Sequence, residues 1–272
     1  MIYIIGSNGY IAKKIKKFIP KSNLTCISTK KTKDSIKTHI FKKKINEKWI
    51  TKINEHDVIF FLSSFGNIDF HEKNTKLINQ SLRNIESNFF SKINSKSKII
   101  FFSSDMVYGG NKNYFLDNSQ PSPKNEYGKT KVRIEKIIRS YFKNHLILRI
   151  SKIYSNDLRE NTFIKGHIEK LKSNKKIYLF SDNKYHYTNV KFLLKILKKI
   201  FLAKKNIIGT YNLPSGKVMS RYDLIKSFLI KFNKMKLIKK IEKISLKRSK
   251  IKLPIKLSMK TNLYKILKLN FI

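Results

Sequence analysis

The groups with the clearest chemistry in this sequence are a serine at the end of an apolar run and a tyrosine four residues ahead of a lysine. Ser104 closes "KIIFFSS", and "PSPKNEYGKTKVRIEK" sets Tyr127 and Lys131 at i and i+4, on one face of a helix. Such a trio suits hydride transfer to or from a carbon bearing oxygen. The serine hydroxyl bonds the substrate oxygen and the phenol passes the proton. The nearby ammonium is expected to stabilise phenolate and lower a pKa that is ordinarily about 10. The spacing alone says little, because Tyr-x-x-x-Lys occurs six times in this lysine-rich chain. The matches beginning at Tyr10, Tyr108, Tyr187, Tyr222 and Tyr264 lack the surrounding context of Tyr127.

A second chemical feature lies near the start. "GSNGYIA" places Gly6, Gly9 and Ala12 between a strand-like run, "MIYIIG", and a helix-patterned one, "YIAKKIKKFI". Glycine permits a tight turn and close backbone approach to a pyrophosphate, and Ala12 is small enough for the helix to pack on the strand. This turn, with Asn8, Tyr10 and Ile11, is expected to hold a dinucleotide. The second strand-like run ends in "STKK", with no acidic residue to hold ribose hydroxyls. Thr29 and Lys30 suit a 2′-phosphate, so NADP is favoured over NAD.

These groups need a frame that brings strand ends together. Strand-like runs at "LTCIST", "DVIFFLSS", "KIIFFSS" and "LILRIS" alternate with helical patterns, which implies right-handed crossovers and a parallel sheet covered on both faces. The fold class is α/β: a Rossmann-type doubly wound sheet with a smaller C-terminal substrate-binding region. Residues 1–155 are expected to form the dinucleotide-binding domain and 156–272 mainly the substrate-binding region, with a return to the sheet near 176–200.

Composition narrows the partners. The net charge is +43, yet lysines occur in nearly every segment and only seven residues are Arg, the type that specific readers of phosphate and bases favour. A Lys, Ile and Asn bias explains this without a specific nucleic acid. Cys26 is the single cysteine and sits within a strand-like run, which excludes an internal disulfide. The six histidines lack metal-ligand spacing, so no metal is expected. No apolar stretch approaches membrane-spanning length, and cytoplasmic residence is the expectation.

Taken in order, "GSNGYIA", "SSDMVYGG", the stretch from Pro123 to Glu135, "LRISKIY" and "GTYNLPSGKVMSRYDL" resemble the extended short-chain dehydrogenases/reductases of nucleotide-sugar type, and among them the dTDP-4-dehydrorhamnose reductases. The likeness covers most of the chain and weakens after about Phe228. It implies that Leu62, Ser63 and Ser64 line the cofactor and that Lys131 also bonds the nicotinamide ribose. It further implies that Ser104, Asp105, Met106, Lys152 and His186 face the substrate, a nucleotide-linked sugar of surface-polysaccharide synthesis.

Dehydratases of that family carry Asp-Glu where this chain has Asp105 and Met106, which argues against water elimination and toward keto reduction. An epimerase is the second reading, and a non-catalytic dinucleotide-binding regulator is a third of another class. Lys152 and Ser155 depart from the usual "R-x-x-N-V-Y-G-P" wording. The lysine-rich stretch from Leu224 to Leu257 has apolar residues at roughly helical spacing, expected to pack in the substrate region, with Pro254 limiting any continuous helix. A homodimer and a peripheral contact with an anionic membrane stay open.

Overall fold

A computed structural model describes residues 1–30, 32, 35–42, 48–110 and 112–269. The apolar runs form strands β1 (Ile2–Ile5), β2 (Leu24–Ser28), β3 (Ile36–Lys37), β4 (Val58–Phe61), β5 (Lys98–Ser104) and β6 (His145–Ile150). With Gly209–Asn212 they make a seven-stranded sheet in the order Gly209–Asn212, β6, β5, β4, β1, β2, β3. Strands β3, β2, β1, β4 and β5 run parallel. Ile4, Phe60 and Ile100 stand in register across the middle, and they and their neighbours Ile59 and Ile99 are fully buried. Consecutive buried residues require cover on both faces, which is why these runs read as unbroken apolar stretches.

Helices α1 (Tyr10–Ile15), α2 (Ile68–Lys73), α3 (Thr75–Asn88) and α4 (Glu126–Tyr141) connect the strands. Helix α3 buries Ile78, Leu82 and Ile85, one face at helical spacing, in a core that also holds Trp49, Phe61, Phe89 and Phe90. From β1 the chain builds outward to β2 and β3, then returns to β4 on the other side of β1. The sheet order therefore reverses between β1 and β4, where ligands of open α/β sheets lie.

The chain divides into two units. The first comprises Met1–Val107, Asn125–Arg149 and Ala203–Tyr211; the second comprises Tyr108–Lys124, Ile150–Leu202 and Asn212–Ile272. The second unit carries helices α5 (Phe163–Lys172), α6 (Val190–Leu202) and α7 (Arg221–Lys231). Its strands form three parallel pairs: Ile153–Tyr154 with Thr188–Asn189, Ile177–Phe180 with Ile241–Ile244, and Lys184–Tyr185 with Lys256–Leu257. Buried Asn212 ties this unit together, donating to the carbonyls of Phe115 and Lys260 and accepting from the Tyr108 hydroxyl.

One expectation is corrected here. The run expected to rejoin the main sheet near 176–200 pairs instead with Ile241–Ile244, and the strand that does join is Gly209–Asn212. In the stretch from Leu224 to Leu257 helical structure is broken: α7 ends at Lys231, Asn233 adopts φ 53, and two short strands follow. Asparagine tolerates that left-handed backbone, which stops the helix.

Within the first unit a buried carboxylate fixes α4 to the sheet. Glu135 accepts from Ser103 Oγ at 2.6 Å and from Arg149 Nε and Nη2 at 3.0 and 2.7 Å, and Arg139 approaches at 3.3 Å. Burial by itself would raise its pKa, but Arg149, Ser103 and Arg139 together hold it below the usual carboxylate value. Removing the carboxylate leaves the Arg149 guanidinium buried without its counter-charge. Glu135→Gln is therefore expected to lower unfolding free energy by about 3 kcal/mol in urea denaturation, and a loss under about 1 kcal/mol would contradict this role.

Candidate active site

The glycine turn leaves β1 with Gly6 at φ 86, a conformation that side chains other than glycine rarely adopt. A Cβ there would lie 2.9 Å from the Ser63 backbone nitrogen and 3.0 Å from the Leu62 carbonyl carbon. The turn thus touches the backbone beyond β4, at the reversal of strand order. Gly6 and Ser7 both donate backbone N–H groups to Ile27 O, at 2.9 and 3.0 Å. Asn8 Nδ2 donates to Ser28 Oγ at 3.1 Å, joining the turn to the end of β2. Ala12 is buried against the strand.

Beyond β2, Thr29 and Lys30 are exposed, and Lys31 lies outside the described residues. Tyr10 and Ile11 are partly buried, as are Leu62 and Ser63, while Ser64 is exposed. Ser7 Oγ is buried and has no hydrogen-bond partner among the described residues. A cradle that only glycine fits and an orphaned hydroxyl within it are compatible with a phosphate-bearing dinucleotide.

Ser104 is the last residue of β5, and Tyr127 and Lys131 occupy the first turns of α4. Asn125 caps that helix by accepting from Gly128 N at 2.9 Å, which fixes where Tyr127 begins. Tyr127 lies close enough to Ser104 for the serine hydroxyl to favour its ionised form. Ser104 Oγ donates to Asp105 Oδ1 at 3.0 Å and accepts from Met106 N at 3.2 Å. Lys131 Nζ donates to Phe102 O at 3.2 Å and stands 5.6 Å from the Tyr127 ring centroid. The expected trio is assembled.

Its electrostatics differ from expectation in one respect. Instead of Lys131 lowering the phenol pKa, burial and then the Asp105 carboxylate push Tyr127 up to about 12, against a lowering bond from Ser104. The phenol keeps its proton at neutral pH, the state a proton donor requires. Burial lowers Lys131 to about 8, with Glu135 opposing. Sequence reasoning also missed His71, whose ring lies 5.1 Å from that of Tyr127; Ser28, the first residue of "STKK", receives Asn8. A lone histidine in "IDFHEK" carries no spacing signal that could have found it.

Lys152 and His186 belong to the second unit. His186 is buried, with Nδ1 hydrogen-bonded to Gly216 O at 3.0 Å. Lys152 Nζ and Arg221 Cζ lie 5.6 and 5.9 Å from the Phe163 ring centroid, so two cations share one aromatic ring. Burial, then Arg221, lowers the Lys152 pKa. Thr162, at the start of α5, makes no side-chain cap, and its Oγ1 is buried without a partner among the described residues. Sequence reasoning missed Arg221.

A family model described as "RmlD substrate binding domain" matches residues 1–261. The chain is 28% identical over 129 residues to dTDP-4-dehydrorhamnose reductase of Escherichia coli (strain K12), covering 46% of this chain and 42% of that relative. It is 27% identical over 153 residues to methionine adenosyltransferase 2 subunit beta of Rattus norvegicus, covering 50% and 42%. The matched part is thus less than half the length of these relatives. Among solved structures, dTDP-4-dehydrorhamnose reductase from Bacillus anthracis str. Ames in complex with NADP superposes with TM-score 0.80 at 19% identity, covering 100% of this chain and 92% of the other. MoeE5 in complex with UDP-glucuronic acid and NAD gives TM-score 0.77 at 14% identity, covering 100% and 93%. At these identities the structural likeness establishes the Rossmann-type fold. Among the described residues no His, Cys, Asp and Glu cluster could hold a metal, and no helix is long and apolar enough to cross a membrane.

The depressed Lys131 pKa has a consequence for stability. Because the folded value, about 8, lies below the ordinary 10.5, the cost of burying this ammonium is complete below pH 8 and is relieved as pH rises toward 10.5. Wild type should therefore gain thermal stability relative to Lys131→Met as pH is raised through that window. A difference that stays constant across it would refute the buried-ammonium assignment.

Proposed function

From the premise that the chain belongs to the RmlD substrate binding domain family, we propose that it is an NADP-dependent reductase of a keto group on a nucleotide-linked deoxysugar, with Tyr127 as proton donor. The observation that carries this reading is the meeting of Ser104, protonated Tyr127 and buried Lys131 at the carboxyl end of β5. The turn around Gly6 and Ser7 would hold the dinucleotide phosphates, with Leu62, Ser63 and Ser64 along its course and Thr29 and Lys30 near a 2′-phosphate. When bound, NADPH supplies the hydride.

The protein's own residues supply orientation and the proton. With substrate bound, Ser104 would turn its one hydroxyl proton from Asp105 to the sugar carbonyl oxygen, holding it beside the phenol, and Tyr127 gives its proton to that oxygen as negative charge develops there. Lys131 then faces the phenolate and offsets its charge. Asp105 raises the phenol pKa, which favours the protonated form and hence reduction. Met106 stands where a second carboxylate would serve elimination, so the set lacks the extra acid a dehydratase uses. Lys152 and Arg221 around Phe163 would hold the anionic part of the nucleotide sugar. The epimerase alternative has no observation of its own in its favour.

Three measurements test this reading. Tyr127→Phe should abolish NADPH oxidation with a dTDP-4-keto-6-deoxysugar while NADPH still raises the melting temperature; retained turnover would remove Tyr127 from the chemistry. Stronger thermal protection by NADH than by NADPH would overturn the cofactor assignment. Lys152→Gln and Arg221→Gln should each raise KM for the nucleotide sugar roughly tenfold with kcat within about twofold, and unchanged KM in both would exclude them from substrate binding.

A further inference from the structure

His71 is almost entirely buried, at 1% exposure, and lies beside Tyr127, yet the proposed chemistry assigns it no part. Its Nδ1 is 3.1 Å from Thr130 Oγ1. The Thr130 hydroxyl already donates its one proton to Glu126 O at 2.9 Å, the carbonyl one turn back. A hydroxyl has a single proton, so in the contact with His71 the Thr130 oxygen accepts and Nδ1 carries the hydrogen. Nε2 then holds the lone pair, and it has no partner among the described residues.

The ring itself packs nearly perpendicular to that of Tyr127, with centroids 5.1 Å apart and an interplanar angle of 79°. On another side Phe65 meets it, also edge-to-face, at 6.0 Å. Such contacts fix orientation as well as burying area. Both anchors of His71 are on α4, one turn apart: the Tyr127 ring and the Thr130 hydroxyl. The imidazole therefore ties α2 to the turn of helix that presents the phenol.

We infer that His71 is a positioning residue for Tyr127: a neutral imidazole, protonated at Nδ1, that holds the phenol ring in place without adding a second cation beside Lys131. The inference rests on the reading of Tyr127 as proton donor. The titratable groups facing the imidazole are Glu126, Tyr127 and Lys131 of α4, and Phe65 on its other side is uncharged. Burial and then the Lys131 ammonium disfavour the imidazolium, pushing His71 down to about 4 against a raising influence from Glu126. A permanently neutral side chain could fill the same space. What histidine adds is the N–H that satisfies Thr130 together with a flat ring to pack on Tyr127.

Two substitutions separate these contributions. His71→Asn keeps a donor placed like Nδ1 but loses the ring, and His71→Phe keeps the ring but loses the donor; His71→Ala loses both. Readouts independent of turnover are 15N NMR of the imidazole and ultraviolet titration of Tyr127, isolated by difference from Tyr127→Phe. The imidazole should show the neutral Nδ1–H tautomer from about pH 6 to pH 8. The Tyr127 midpoint should fall from about 12 toward 10 in His71→Ala, as water reaches the phenol, and recover most in His71→Phe.

With a dTDP-4-keto-6-deoxysugar as probe, kcat of His71→Ala should fall roughly tenfold and KM for NADPH stay within about twofold. An Nε2–H tautomer, an imidazolium at neutral pH, or an unmoved Tyr127 midpoint in His71→Ala would overturn the assignment. A wild type that turns over none of the probe while the Tyr127 midpoint shifts as expected would sustain the brace and count against the reductase reading alone. Normal probe turnover with an unmoved midpoint would do the reverse.

Discussion

Glu135 gives up its hydration on burial and regains partners from three places: the Ser103 hydroxyl on β5, the Arg149 guanidinium on β6, and Arg139 one turn along α4. Ser103 and Glu135 are each adjacent to something chemical. Ser103 precedes Ser104, and Glu135 lies one turn beyond Lys131, which lies one turn beyond Tyr127. An unpaired charge at this depth would cost several kcal/mol, so helix and sheet are held in the one register that satisfies all donors. The separation of the serine and tyrosine hydroxyls follows from that register. Asn125 sets the other end by capping α4, and between them the two polar residues leave α4 little freedom to slide or rotate.

The sequence made the sheet legible because its strands are buried on both faces and therefore appear as uninterrupted Ile, Phe and Val runs bounded by polar turns. Tyr127 and Lys131 could be selected from six equal matches through their neighbours, of which Asn125, Gly128 and Glu135 prove to be the cap, its bonded amide and the buried carboxylate. The second unit was less legible. Its strands are two to four residues long and pair with segments far away in sequence, so no local period announces them. Arg221 meets Lys152 only through Phe163, a relation that spacing cannot encode. The phenol pKa was misjudged for a related reason: counting charges in the sequence favoured the ammonium, whereas desolvation, the larger influence, depends on packing.

The chain's excess of positive charge makes the neutrality of the site noteworthy. With 60 basic and 17 acidic residues, an imidazole or phenol beside a surface lysine would be an ordinary event. Beside Tyr127, however, the Lys131 ammonium is buried and hydrogen-bonds a backbone carbonyl. Surface lysines act through screened, salt-dependent fields, while Lys131 acts in a low-dielectric setting where a single charge has a far greater effect. Charge drift on the outside is thus tolerated without detuning the chemistry within.

The order of the sheet has a consequence for how the molecule is made. Strand β6 lies between β5 and Gly209–Asn212, and the latter is synthesised only after the whole stretch from Ile150 to Leu202, all of which belongs to the other unit. Until that late strand emerges, β6 presents an open row of backbone donors and acceptors in a nascent chain that already holds its strongest apolar strands. Unpaired edges of this kind recruit neighbouring polypeptides. Translation speed between residues 150 and 212, and chaperone occupancy over that interval, therefore bear on yield.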